Sequence, residues 1–388
     1  MKIRILSFIV MTSLLLSACA EKKSETVIVV KNSLDVARTF EMVELTAKDL
    51  KVKDLMSVGI KDLKTGTLQI TQLVDLDADG KMDQLIFQPL VSANSEAKYQ
   101  VVTLSQKEIV THDLVCFSRF VPERTDDYTW ENDKVSFRVY GPTAQKMVED
   151  NVPGGTLSSG VDVWLKRVEY PVINKWYQEF VDGTGTYHED TGEGLDNFHV
   201  GVSRGVGGIA VKSNDTYCYS KNFSKWKTIT TGPLRTSFYL KYENWDANGT
   251  MVEESKIITL DKGNNFTQFT TSIKGVSEIS AGLTLHEKDG KVSQGKGWLN
   301  YFQPHADSEI STSIIASSLY FDSVETYDSD KKDLSNAYAH LNVVNGKVVY
   351  YAGFAWKKSG QFKDNIAWEA YLDLVSLKIN NPLMVEIK

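Results

Sequence analysis

Along much of this chain, apolar and polar residues alternate one for one. Val135-Ser136-Phe137-Arg138-Val139-Tyr140 and Thr236-Ser237-Phe238-Tyr239-Leu240-Lys241-Tyr242 are two of the clearest runs. A period of two places successive side chains on opposite faces of an extended strand, a pattern no helix can use. Turn residues separate the runs, and hairpin punctuation recurs at Ala247-Asn248-Gly249, Asp289-Gly290 and Asn345-Gly346. With 17 Tyr, 16 Phe and 8 Trp against only 8 Pro, the composition suits large half-buried sheets. The expected fold is therefore all-β, with antiparallel sheets stacked as a sandwich. Helical periodicity is weak. Its best candidates are residues 144–150 and 160–174, where Val161, Trp164, Leu165 and Val168 would share one face. No fixed-period repeat is visible, which argues against a propeller or solenoid.

The N-terminus reads as an export signal. Lys2 and Arg4 precede the apolar run Ile5 to Leu16, which is too short to span a bilayer comfortably, and Leu16-Ser17-Ala18-Cys19 closes it. A cysteine behind small residues is a lipobox, so residues 1–18 are expected to be removed and Cys19 lipidated. Residues 19–25 are polar and read as a tether. A strand-rich N-terminal portion is expected over 26–104, and the main sandwich over 105–388. Ala20 follows the anchor where an Asp would favour inner-membrane retention, so the expected location is the outer membrane, facing the periplasm. The membrane is then met through the lipid alone.

Acidic residues number 50 against 43 basic ones, a net charge of -7, which argues against a nucleic-acid partner. An anionic substrate would need a local basic pocket. Besides Cys19 only Cys116 and Cys218 remain, without metal-type spacing, and one disulfide or two free thiols fit equally. Nothing in the sequence indicates an oligomeric state.

Two stretches gather chemistry. Asp75-Leu76-Asp77-Ala78-Asp79-Gly80-Lys81-Met82-Asp83 sets Asp75, Asp77, Asp79 and Asp83 around a glycine, with the Lys81 carbonyl available. Such a loop wraps a hard cation in oxygen ligands, here a structural calcium ion, or stands as a bare turn held by Asx hydrogen bonds. It departs from an EF-hand at Ile86, where a glutamate would sit. The second stretch begins at Trp176-Tyr177. It continues through Tyr187-His188-Glu189-Asp190-Thr191-Gly192-Glu193-Gly194-Leu195-Asp196-Asn197-Phe198-His199 to Arg204. Glycines let backbone approach a ligand, a histidine or tyrosine moves protons near neutral pH, and an arginine grips a carboxylate through two parallel hydrogen bonds. A solvated loop is the plainer alternative.

Farther on, Arg235 opens an alternating strand, and His286 and Lys288, two residues apart, are expected to face one pocket near Trp298 and His305. Trp176, Trp226 and Trp298 would suit stacking on sugar rings if exposed. No nucleophile elbow, zinc helix or phosphate loop is present, which disfavours serine-triad hydrolysis and nucleotide chemistry.

The lipobox, the Asp-x-Asp-x-Asp-Gly hairpin, the stretch Tyr187 to Asp196 and Gly232-Pro233-Leu234-Arg235 together resemble the ulvan oligosaccharide dehydratase family. These are envelope proteins encoded with polysaccharide-degradation systems, and the resemblance covers nearly the whole mature chain. It implies a galactose-mutarotase-like β-sandwich with no catalytic cofactor. The implied reaction removes water from the 4,5-unsaturated uronyl residue that a lyase leaves at the non-reducing end of an anionic oligosaccharide. On that reading Tyr187 and His188 transfer protons, and His199 carries a second proton or orients. Arg204, with Arg235 or Lys288, holds the carboxylate, and Trp176, His286, Trp298 and His305 line the sugar site. Another carbohydrate enzyme on the same fold, whether hydrolase, lyase or mutarotase, and a non-catalytic glycan-binding lipoprotein remain as alternatives.

Overall fold

The computed structural model describes residues 26–388. The leader, Cys19 and the tether lie outside the described residues. Among those described, no helix is long and apolar enough to cross a membrane.

The alternating runs form sheets, and the chain is strand-rich and all-β in class. The largest sheet has nine strands. In spatial order it runs Phe223–Thr230, Arg235–Tyr242, Met251–Asp261, Phe266–Lys274, Lys347–Trp356, Ser308–Ala316, Trp298–His305 and Lys291–Gly295, with Trp245–Asp246 beside Met251–Asp261. Two five-stranded sheets pack against it. One contains Gly194–Leu195, Asp162–Lys166, Ser136–Val139, Asp127–Glu131 and Phe117–Val121. The other contains Thr216–Cys218, Val206–Ser213, Glu278–Thr284, Asn336–Asn342 and Phe321–Tyr327. All three sheets contribute to one continuous apolar core, in which Phe137, Ile209, Leu283, Phe238 and Ile314 are fully or almost fully buried. Specific contacts fix how the layers sit. The Tyr128 ring stacks 4.1 Å from Phe238, and Trp130 Nε1 donates to Thr267 Oγ1 at 2.9 Å. The Tyr350 hydroxyl donates to the Gly207 carbonyl at 2.7 Å.

The N-terminal strands build a second, smaller core around Ile28, Val30, Leu45, Ile60, Leu85, Phe87 and Tyr99. This unit takes in the end of the chain, because Met384–Ile387 pairs with Val27–Asn32. Polar contacts seat it on the edge of the large sheet. The Gln72 amide accepts from the backbone N–H groups of Leu234 and Arg235 at 2.9 and 3.0 Å and donates to Thr230 Oγ1 at 2.9 Å. Cys116 and Cys218 are both free thiols.

Two helix expectations change. Asp162–Lys166 is a strand, not part of a helix, and it is buried along its whole length. Val163 and Leu165 face the shared core while Trp164 faces an aromatic cluster on the other side. A strand covered on both faces reads as an unbroken apolar run, which mimics helical spacing. The longest helix among the described residues, Asn365–Asn380, was invisible to periodicity because apolar side chains ring its circumference. It starts where the Asp364 side chain accepts from the Ala367 N–H at 2.9 Å. It docks Trp368 and Leu372 against Phe266, Trp298 and Ile315 on the outer face of the large sheet. Trp368→Ala should leave a cavity there and cost about 3–5 kcal/mol, measured by chemical denaturation. A loss below about 1 kcal/mol would mean that the helix is not anchored through this residue.

Candidate active site

In the strand Ser136–Val139, Phe137 and Val139 enter the shared core, so Arg138 faces the other way, and Tyr140, just past the strand and half-buried, lies 5.3 Å from its guanidinium. Most of that face is sealed from water. Trp164, Trp176, Tyr177 and Tyr187 cover it as a packed aromatic layer, with Trp164 5.0 Å from Tyr187 and 5.5 Å from Trp176. The helix Ile173–Val181 supplies Trp176 and Tyr177. It begins where it does because the buried Glu131 carboxylate accepts from the backbone N–H groups of Val172 and Ile173, both at 2.9 Å. Lys166 Nζ balances that carboxylate at 2.8 Å.

Enclosed by this layer, Arg138 gathers three carboxylates. Asp162 lies directly opposite it in strand register and is hydrogen-bonded to its guanidinium. Asp196 stands 2.9 Å away and Asp127 3.8 Å away. One cation therefore serves three acids in a desolvated place. Burial pushes Asp127 up to about 6. Asp162 and Asp196 are also raised, by burial first, with Asp162 pushed further by Asp196. The trio retains a proton toward neutral pH. Tyr140 and Tyr177 are likewise pushed up by burial and stay protonated, and the Tyr177 hydroxyl donates to Asp127 Oδ2 at 3.2 Å. Asp127 Oδ1, Asp162 Oδ1 and Arg138 Nε are buried without a hydrogen-bond partner.

A cleft of about 660 Å³ opens over this cluster. Arg138 and Tyr140 lie at its base, residues 196–202 form one wall, and Val148, Gly155, Thr156 and Leu157 form the other. His188 lines it too. Its Nδ1 lies 2.8 Å from the Asp196 carbonyl oxygen, and a carbonyl only accepts, so Nδ1 carries the proton. In the neutral ring, Nε2 is then the basic atom. His199 is also in the cleft, with Nε2 2.9 Å from Asp333 Oδ2.

The structure therefore brings together His188 and His199 from the expected set and redistributes the rest. Tyr187 is buried in the aromatic layer, where its hydroxyl accepts from Arg124 Nε at 3.0 Å, and does not line the cleft. His286 and His305 sit behind the wall. His286 Nε2 donates to the His199 carbonyl at 2.6 Å, while its Nδ1 accepts from Gln303 Nε2 at 3.0 Å. His305 Nε2 donates to Asn197 Oδ1 at 2.8 Å. Burial lowers both, His305 to about 4, and keeps them neutral, so they pin the wall. Lys288 shares no pocket with His286. The strand ends at Thr284, Lys288 adopts a left-handed backbone (φ 58°), and its ammonium pairs with Asp328, so strand alternation no longer applies. Arg235 is held by Asp261 at 2.6 and 2.9 Å and by Glu44, a tie between the N-terminal unit and the large sheet. Trp176 is buried with Nε1 3.1 Å from Glu193, and Trp298 lies under the C-terminal helix with Nε1 2.7 Å from Asp373. Neither is open to a sugar; Trp226 is exposed but stacks on Phe120. Arg204 is fully buried and opens into a separate cavity.

Arg138, Tyr140, Asp127 and Asp162 were missed. Arg138 and Tyr140 belong to a run that read as ordinary sheet and Asp162 to a stretch that read as helix, and the available signal was a charged residue or tyrosine recurring on the non-core face of adjacent strands. In the acidic loop Asp75, Asp77 and Asp83 converge within 4.8 Å. Asp79 instead turns to Lys81, at 3.1 Å.

The raised Asp127 sets a pH dependence. Its folded value lies above the ordinary 3.8, so its contribution to stability is complete below about pH 4 and is lost as pH rises through about 6. Asp127→Asn cannot ionise. Its stability should gain on the wild type by about 2–3 kcal/mol between about pH 4 and pH 7, read from denaturation curves across that range. Parallel curves would show that Asp127 ionises normally.

Residues 30–385 match the family described as DUF4861, a domain of unknown function. An uncharacterised protein of Formosa agariphila is 50% identical over 395 residues, covering 100% of both chains. Among solved structures, a glycosyl hydrolase family 38 protein of Enterococcus faecalis superposes with a TM-score of 0.52 at 11% identity, covering 95% of this chain and 48% of that one. An α-mannosidase of Enterococcus faecalis gives 0.46 at 10% identity, over 94% and 46%. The chain thus spans about half the length of these solved proteins. On the family match and the full-length identity, this chain belongs to the DUF4861 family.

Proposed function

We propose that this chain is a carbohydrate-active dehydratase. It removes water from the 4,5-unsaturated uronyl residue at the non-reducing end of lyase-generated, ulvan-type oligosaccharides. The observation that carries this reading is the cleft that holds the basic His188 Nε2 together with the protonated Tyr140 phenol. Elimination of water needs a base that takes a ring proton and an acid that protonates the departing hydroxyl. His188 fills the first role and Tyr140 the second. Between turnovers His188 gives its proton up to solvent in the cleft and Tyr140 regains one from it, while Arg138, on the cleft floor with Nε unspent, is the donor that faces the uronate carboxylate. Two-carboxylate glycoside hydrolysis fits less well, because of the trio only Asp196 lines the cleft.

The sheet arrangement is consistent with a galactose-mutarotase-like supersandwich, and the fold likeness to a glycosyl hydrolase family 38 protein favours a sugar substrate. The lipobox at Cys19 favours attachment to the envelope by lipid, facing the periplasm, where imported fragments are met. A structural calcium ion at Asp75, Asp77 and Asp83 belongs to the same reading, as a brace for the hairpin and not a participant in the chemistry.

Incubation with an ulvan-lyase digest should lighten the unsaturated oligosaccharides by the mass of one water, read by mass spectrometry. His188→Gln and Tyr140→Phe should lower kcat by about two to four orders of magnitude with circular dichroism unchanged. Shortened chains, or wild-type rates in His188→Gln, would defeat the proposal. Separately, millimolar calcium should raise Tm over the chelated protein, and Asp75→Asn with Asp77→Asn should remove that rise. Equal Tm values with and without calcium would leave the loop a bare turn.

A further inference from the structure

On the far side of the 196–204 segment lies a smaller cavity of about 220 Å³, lined by Arg204, Tyr217, Tyr219, Tyr327, Lys331 and Tyr338 among others. Arg204 is fully buried there, and among the described residues no carboxylate lies within ion-pair distance of it. Its guanidinium lies 3.9 Å over the Tyr219 ring. Nη1 donates to Ser159 Oγ at 2.9 Å and to the Ile209 carbonyl at 3.3 Å, and Nη2 donates to the Val202 carbonyl at 2.9 Å. A guanidinium has five N–H donors, so these bonds leave two unspent. Neutral carbonyls and a hydroxyl orient the group without cancelling its charge. Such a charge is costly to bury unless something anionic answers it.

The wall opposite is aromatic. Tyr217 stacks 3.8 Å from Tyr338 and packs edge-on 5.2 Å from Tyr327. The Tyr217 hydroxyl is buried without a well-formed hydrogen bond, pushed up by burial and then by the nearby Glu325 carboxylate, whose own charge is met by Lys212. Lys331 stands exposed among the lining residues and adds a second positive charge. An unanswered arginine, an unsatisfied hydroxyl, tyrosine faces and a lysine match a ligand with one anionic group on a ring whose faces are apolar.

We propose that this cavity is a second, anion-selective sugar subsite, which holds one carboxylate- or sulfate-bearing residue of a glycan through Arg204, Lys331 and the Tyr217 hydroxyl. It rests on the reading of the protein as glycan-directed but not on the chemistry in the cleft. Val202 lines both cavities and the His199–Asp333 contact links their rims, so one chain segment separates the two sites.

The test uses D-glucuronate, inorganic sulfate and D-glucose as probes, with binding measured by calorimetry on the mature chain. Glucuronate should bind and glucose should not; binding of sulfate as well would assign the selectivity to charge alone. Arg204→Met should weaken glucuronate binding about tenfold or more, and Tyr217→Phe and Lys331→Ala a few-fold each. If Arg204→Met loses its circular dichroism signal, the other two variants decide the matter. His188→Gln should bind glucuronate as the wild type does, even where it has lost turnover, which separates this subsite from the proposed reaction. Equal binding of glucose and glucuronate, or wild-type affinity in Tyr217→Phe and Lys331→Ala, would overturn the proposal.

Discussion

The candidate site depends on one arginine placed where a sheet is covered on both sides. Arg138 stands directly opposite Asp162 in strand register, so pairing of the two strands brings the charges together without any loop. Asp127 comes from the next strand and Asp196 directly follows the edge strand Gly194–Leu195 of the same sheet. The aromatic layer of Trp164, Trp176, Tyr177 and Tyr187 removes water from the group. Low dielectric strengthens each attraction to the guanidinium and each repulsion among the carboxylates. Raised affinity for protons follows from the same geometry that holds the strands in register.

The cleft wall is a different kind of object, a loop made rigid from behind. His286 and His305 are neutral and spend their N–H groups on the His199 carbonyl and the Asn197 side chain. Phe198 fills the space between, 4.5 Å from the His286 ring. Gly201 has φ 52°, and a Cβ there would stand 2.1 Å from Asp333 Oδ2, so the wall passes close to its neighbour only because no side chain intervenes. Two histidines with the composition of catalytic residues thus do the work of bolts.

How much of this was legible follows from what alternation encodes. It reports which residues share a face, and on that basis the sheets were readable. It does not report what covers the second face. Arg138 occupied a polar position of a clean alternating run, and a solvated arginine is the ordinary reading of such a position. Trp176 and Trp298 looked fit for sugar because tryptophan near polar loops often is, yet Trp176 is packed against Trp164 with its N–H on Glu193, and Trp298 is sealed by the C-terminal helix, distant in sequence. The place of His188 at the cleft was legible, because a histidine amid glycines and carboxylates is not needed for packing, whereas its neighbours Tyr187 and Phe198 are buried. Arg204 ended that stretch and read as a carboxylate holder; its burial in a separate cavity depends on strands more than a hundred residues away. Lys288 failed for a local reason: alternation was extended past the last strand residue.

Charge balance, more than burial, separates scaffold from site in this protein. Lys166 with Glu131 and Lys256 with Glu254 are buried pairs that match one to one, at 2.8 and 2.9 Å. Such pairs orient strands and cap a helix, and nothing about them calls for a ligand. The Arg138 cluster has two acids more than its cation answers, and Arg204 has a cation with no acid. Neither imbalance helps the fold, since a desolvated unmatched charge is destabilising wherever it sits. A surplus of protons in one cavity and a deficit of anions in the next complement each other if the occupant is acidic and must be protonated where it leaves. Both features border the 196–204 segment, Asp196 facing the Arg138 cluster at one end and Arg204 the second cavity at the other.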